Sequence, residues 1–117
     1  MLKILRLLNS FPLLKSYEVI DFKQGKDFYY IRIKAELKNE TSLYIRLYVS
    51  DEEYNYSYHW QRGDGELIVR WDNSPHHREI ETFPHHRHIK DRIEASKEIG
   101  LKEVLKYIFN MSKKEDD

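Results

Sequence analysis

The chain has 117 residues, no cysteine, and 20 basic residues balanced by 20 acidic ones; it is long enough for one ordinary domain, and it excludes disulfides, thiolate metal sites and cysteine nucleophiles. With zero formal net charge, no overall field draws the protein onto nucleic acid or an anionic membrane, so any such binding has to be local. A charged fraction of 34% against 40% hydrophobic residues reads as a globular protein with a heavily charged exterior.

Leu2, Leu5 and Leu8 share a helical stripe with Ile4 beside them, and Pro12 forbids a longer helix. Charges interrupt this segment, so it lacks the apolar run of a signal peptide or membrane span, and a cytoplasmic protein without membrane contact is the expectation. Ser16 to Lys23 reads as a loosely patterned edge strand. Between Phe28 and Leu37 the period becomes two, with Ile31, Ile33, Ala35 and Leu37 on one face and Arg32, Lys34 and Glu36 on the other. Turn residues 38–41 lead into Leu43, Ile45, Leu47 and Val49, alternating with Tyr44, Arg46 and Tyr48. A third run sets Tyr54, Tyr56, Tyr58 and Trp60 on one face, and Gly63-Asp64-Gly65 turns the chain into Leu67, Val69 and Trp71. Matching the aromatic faces pairs Trp60 with Leu67, Tyr58 with Val69 and Tyr56 with Trp71. It gathers Asn55, Ser57, His59, Arg70 and Asp72 on the opposite face.

Further on, Leu101, Val104, Leu105, Ile108 and Met111 form a second helical stripe suited to covering the apolar sheet face. Residues 113–117 offer nothing to bury and are expected to be a frayed charged tail after a single domain of residues 1–112. The fold class that results is α+β: an antiparallel sheet of about four to six strands with N- and C-terminal helices packed on one face.

Five of the six histidines lie between Asp72 and His88, where Pro-His-His is written twice, at 75–77 and 84–86. Imidazole titrates near neutrality, so such a cluster serves proton transfer, metal ligation or a pH-sensitive surface. If Arg78 to Phe83 is extended at roughly 3.3 Å per residue, His76 and His85 stand about 30 Å apart, too far to share an ion. Adjacent histidines on a strand also face opposite ways, so each pair offers one side a single ligand. His86 and His88 share a face, which Asp72 or His76 completes only if the chain folds back. No resident metal or cofactor is expected.

Cleavage of RNA needs a base for the 2′-hydroxyl, an acid for the leaving 5′-oxygen and a cation for the transition-state charge. His76 with His85 or His86 are the leading acid and base, His77 and His88 further candidates, and Arg70 or Arg87 the phosphate ligand. Asp72, Asn73, Tyr58 and Lys90 are expected binding residues, Tyr58 by stacking on a base. Pro75 and Pro84 bias the residues before them to extended geometry and make rigid corners that present these side chains.

The stretches Tyr56-Ser57-Tyr58-His59-Trp60, Leu67 through His77 and Glu81 through His88, followed by a Val104-Leu105 helix, resemble the TumE-type toxin family of prokaryotic toxin–antitoxin systems. Ser74 stands where alanine is expected. The resemblance implies the toxin of a type II system, silenced by a cognate DNA-binding antitoxin, with RNA the target by analogy with other small toxins; it carries no catalytic assignment. The function expected is a metal-independent endoribonuclease that uses the histidine cluster. The alternatives are a non-enzymatic protein-binding module, for which a homodimer is one form, and a metal-dependent hydrolase using the same histidines.

Overall fold

The computed structural model describes residues 2–115. Its elements run α1 (Leu2–Asn9), β1 (Leu14–Gln24), β2 (Phe28–Leu37), β3 (Thr41–Ser50), β4 (Tyr54–Arg62), β5 (Leu67–Asp72), β6 (His86–Ile89), β7 (Arg92–Ala95) and α2 (Leu101–Glu115). The strands form one sheet in the order β1 to β7, every neighbour antiparallel. Seven strands therefore replace the four to six expected. The additional β6 and β7 are four residues each, His86-Arg87-His88-Ile89 and Arg92-Ile93-Glu94-Ala95, too short for an alternation to stand out in the sequence. They are held by pairing to β5 and to each other, with Ile89 packed against the core.

One face of the sheet is apolar. Ile31, Ile33, Ala35, Leu43, Ile45, Leu47, Tyr56, Tyr58, Trp60, Val69 and Trp71 form one buried cluster with Ile4 and Leu8 of α1 and Leu101, Val104, Leu105 and Ile108 of α2. Both helices thus pack on the same side, as their stripes require. The α1 stripe is rotated from its sequence reading: Ile4 and Leu8, one turn apart, face the core, while Leu2 is 66% exposed. Tyr107 seats α2 edge-on against Trp71 and Trp60, with ring centroids 5.1 and 6.3 Å apart. Helix α2 continues through Lys113 and Lys114 to Glu115, past the expected start of the tail, and Asp116 and Asp117 lie outside the described residues.

The β4–β5 register differs from the expected one by two residues: Tyr58 opposes Trp71, Trp60 opposes Val69, and a bulge lies between Trp60 and Gln61. The turn is longer than Gly63-Asp64-Gly65 alone, closed by the Arg62 and Glu66 backbones, with Gly65 at φ 91°. A shift of two preserves side-chain facing. Ser57 therefore still joins Asp72, and His59 still joins Arg70, on the face away from the helices.

Candidate active site

The site begins where β5 ends. Asp72 is buried at 3% exposure, and its Oδ1 accepts hydrogen bonds from the Ser74 amide (3.0 Å) and hydroxyl (2.6 Å). This Asx-type turn stops the strand and aims the carboxylate along the open face. Next to it, Asn73 stands in for the missing ladder: its Oδ1 accepts from the Tyr56 amide and its Nδ2 donates to the Tyr54 carbonyl.

Residues 76–85 are not the extended strand considered above. Successive turns close Ile80 on His77, Phe83 on Ile80 and His85 on Thr82, and the Phe83–Pro84 peptide is cis. The Thr82 hydroxyl donates to the His85 carbonyl and accepts from the Ser96 amide, pinning the loop to the end of β7. The chain folds back, and β6 pairs Asp72 with His86 and Arg70 with His88.

Three imidazoles converge as a result. Ring centroids are 4.8 Å apart for His77 and His86, 5.0 Å for His86 and His88, and 5.6 Å for His77 and His88. Two of them meet Asp72: His86 Nε2 lies 2.9 Å from Oδ1 and His88 Nε2 3.7 Å from Oδ2, while the Arg70 Nε donates to Oδ2 at 3.2 Å; His77 joins them ring to ring, and its Nδ1 lies 3.5 Å from Glu79 Oε1. One histidine of each Pro-His-His pair is delivered to the cluster and the other is sent elsewhere. His76 is exposed. His85 shares a 2.8 Å hydrogen bond with the Tyr56 hydroxyl and stacks on that ring. Of the leading candidates of the sequence reading, His76 and His85 therefore stand outside the cluster, while His86 lies in it with His77 and His88.

Other expected site residues are also redistributed. Arg87 opposes Trp71 and is bound to Glu94 at 3.0 Å, on the other side of β6 from Asp72's neighbours. Lys90 occupies the β6–β7 turn at φ 54°. Tyr58 is 1% exposed and its hydroxyl meets that of Tyr54, so no base can stack on it. Asn73 is structural, as described. What sequence reasoning passed over is Ser74, whose hydroxyl holds Asp72; serine, two residues after an aspartate in a turn, is the available signal.

The electrostatics separate the three rings. His86 Nδ1 lies 2.9 Å from the Pro84 carbonyl and Nε2 2.9 Å from the Asp72 carboxylate. The ring is thus engaged at both nitrogens and held in one orientation. Burial by itself would push the Asp72 carboxyl up; the Ser74 hydrogen bonds and the charges of His86 and Arg70 outweigh it and hold the carboxyl below the ordinary range. His88 is held below its ordinary value of 6.5, first by burial and then by the charges of His86, His77 and Arg70, against the pull of Asp72. Its ring is therefore neutral at neutral pH. The side chains of His88 and His77 are each 26% exposed, and Arg70 is 40% exposed, whereas His86 is sealed at 3%. Accessible imidazoles and a guanidinium thus lie beside a buried carboxylate–imidazole pair.

His77, His86 and His88 can each offer a nitrogen within 4.8 Å of the others, a donor set that suits a borderline divalent ion such as zinc. For His86 to join, one of its two present hydrogen bonds has to be given up.

The fold and site define a class: a small antiparallel sheet, helices on one face, with an imidazole–carboxylate–guanidinium cluster at one end of the other. The family model for Toxin TumE matches residues 4–114, and the chain belongs to that family. None of the curated proteins and none of the solved structures matches it. Membership supports a toxin role with an antitoxin partner. No helix among the described residues is long and apolar enough to cross a membrane.

Proposed function

We propose that this protein is the toxin of a type II toxin–antitoxin pair and an endoribonuclease that cleaves by acid–base chemistry without a metal, in the cytoplasm. The cognate DNA-binding antitoxin silences it by covering the cluster. The observation that carries the reading is that two accessible imidazoles, His77 and His88, stand 5.6 Å apart against the ring of His86, with His88 and Arg70 both on the buried Asp72 carboxylate.

In the reaction, His88 is the base. Its neutral ring takes the 2′-hydroxyl proton, and the oxygen attacks the adjacent phosphorus. His77 in its protonated form gives a proton to the departing 5′-oxygen, leaving a 2′,3′-cyclic phosphate and a 5′-hydroxyl. Arg70 meets the charge that grows on the non-bridging oxygens. Asp72 and His86 position His88 and Arg70 without touching substrate. A ring separation of 5.6 Å lets one phosphodiester reach both imidazoles.

Expression alone and with the neighbouring antitoxin gene tests the reading. Growth arrest, relieved by the antitoxin and accompanied by RNA fragments ending in cyclic phosphate, is the expected result. Purified protein that leaves RNA intact overturns it. The convergence of three imidazole nitrogens favours one second reading, a metal-dependent hydrolase. Chelator-sensitive cleavage with a stoichiometric bound metal would establish that reading in place of the first.

A further inference from the structure

The helix-free face carries a second feature that the cleavage chemistry does not use. Arg32 on β2 and Arg46 on β3 are direct cross-strand partners, both exposed. Like charges placed directly opposite destabilise a sheet. No carboxylate among the described residues forms an ion pair with either guanidinium; Asp21, opposite Arg32 on β1, is not within ion-pair distance. The row continues through Ser57 to Asp72 and His86, so the two arginines and the imidazole cluster lie along one line across the strands.

The surface along that line is concave. A depression of about 480 Å³ is lined by Arg32, Arg46, Arg70, Tyr44 and His59. A second, of about 440 Å³, shares Tyr30 and Arg46 with it and runs past Tyr48 to Ser74 and Pro75. The two depressions touch the candidate active site through Arg70 and Ser74, the residues bound to Asp72. Guanidiniums bind phosphate oxygens with geometric fit. The rings of Tyr30, Tyr44 and Tyr48 beside them supply flat surfaces of the kind on which unpaired bases stack.

We propose that this face is a binding groove for single-stranded RNA, in which Arg32 and Arg46 hold two backbone phosphates and the strand runs on to the His77–His88 pair. The proposal rests on the reading of the protein as an RNA-cleaving toxin. It explains how a chain of zero net charge engages a polyanion: three guanidiniums, Arg32, Arg46 and Arg70, line one depression. It also explains why two unpaired arginines face each other in the middle of the sheet. Single strands fit because a duplex hides the base faces that the tyrosines would meet.

The test uses fluorescence anisotropy of labelled single-stranded RNA on the full chain carrying His88→Ala to prevent turnover, compared with the same chain carrying Arg32→Ala and Arg46→Ala as well. The double replacement is expected to weaken binding at least about tenfold and to flatten the dependence of log affinity on log salt by about 1.4, two single-strand phosphate contacts. Arg46→Gln is a milder second probe, and both variants should melt no earlier than the parent because a repulsion has been removed. Unchanged RNA affinity and salt slope in the double variant overturns the groove, even if the unmutated toxin cleaves RNA normally. A double variant that keeps its RNA affinity but loses the antitoxin also overturns it, and makes this face a site for an acidic protein segment. If RNA binding falls as expected while the unmutated toxin leaves RNA uncleaved, the groove stands and the catalytic reading fails.

Discussion

The two faces of one sheet show how differently the same strands are used. On the helix side, Ile33, Ile45, Tyr58 and Trp71 lie in consecutive register and are each at most 2% exposed. One residue away along each strand, Arg32, Arg46, Ser57 and Asp72 form the parallel row on the other side. The first row holds the fold together by removing apolar surface from water. The second adds little to stability, places like charges opposite one another and ends in a buried carboxylate. Polar groups that cost stability are retained where they act on a ligand.

The largest expected effect breaks the helix-side row. Trp71→Ala removes a fully buried ring and its contact with Tyr107, and should lower unfolding free energy by about 3–5 kcal/mol, measured by denaturant titration. Next comes the end of the opposite row. Asp72→Ala leaves the sealed His86 Nε2 without its carboxylate and the Ser74 hydroxyl without its acceptor, and should cost about 3 kcal/mol while abolishing cleavage. A small loss of stability there would mean that this buried pair does not hold the end of the row. Smallest is the middle of the open row: Arg46→Ala should change stability by no more than about 0.5 kcal/mol, and toward greater stability.

Acidification sharpens the same contrast. His88 has a folded pKa below its ordinary 6.5, so as pH falls below 6.5 the unfolded chain takes up protons first and stability declines. Asp72 is likewise depressed; its contribution is complete above the ordinary carboxyl value of 3.8 and is lost as pH falls through the lower folded value. Melting temperature should therefore fall in two stages. His88→Asn should remove part of the upper stage and leave the lower one, and a profile unchanged by that substitution would show that His88 is not held neutral.

Much of the helix-side row was legible in the sequence because burial on one face writes a period of two, as in Ile31-Ile33-Ala35, and of about 3.6, as in Leu101-Val104-Leu105-Ile108. The number of strands was not, since β6 and β7 are four residues each, too short to write a readable period. The site was half legible. Asp72, Arg70 and the histidine-rich segment stood out by composition, and the expectation that each Pro-His-His pair gives one ring to a side holds in His77 and His86. Which member of each pair turns inward was not readable, because it depends on the turns between Ser74 and His85 and on Ser74 and Thr82 as anchors. The turns are local but specified by no single residue type, and the Thr82–Ser96 anchor joins positions 14 apart, which spacing does not encode. Arg87 was readable by the same alternation: one position from both His86 and His88, it falls on the other face and binds Glu94.

The account turns on the unequal fates of the paired histidines, and a four-variant cleavage assay tests it most directly. On one RNA substrate at about pH 7, His77→Ala and His88→Ala should each lower the cleavage rate by about 100-fold or more. His76→Ala and His85→Ala, with rings outside the cluster, should stay within a few-fold of the parent. Equal losses across all four, or a loss confined to His76 and His85, would contradict the assignment of catalysis to the cluster of His77, His86 and His88.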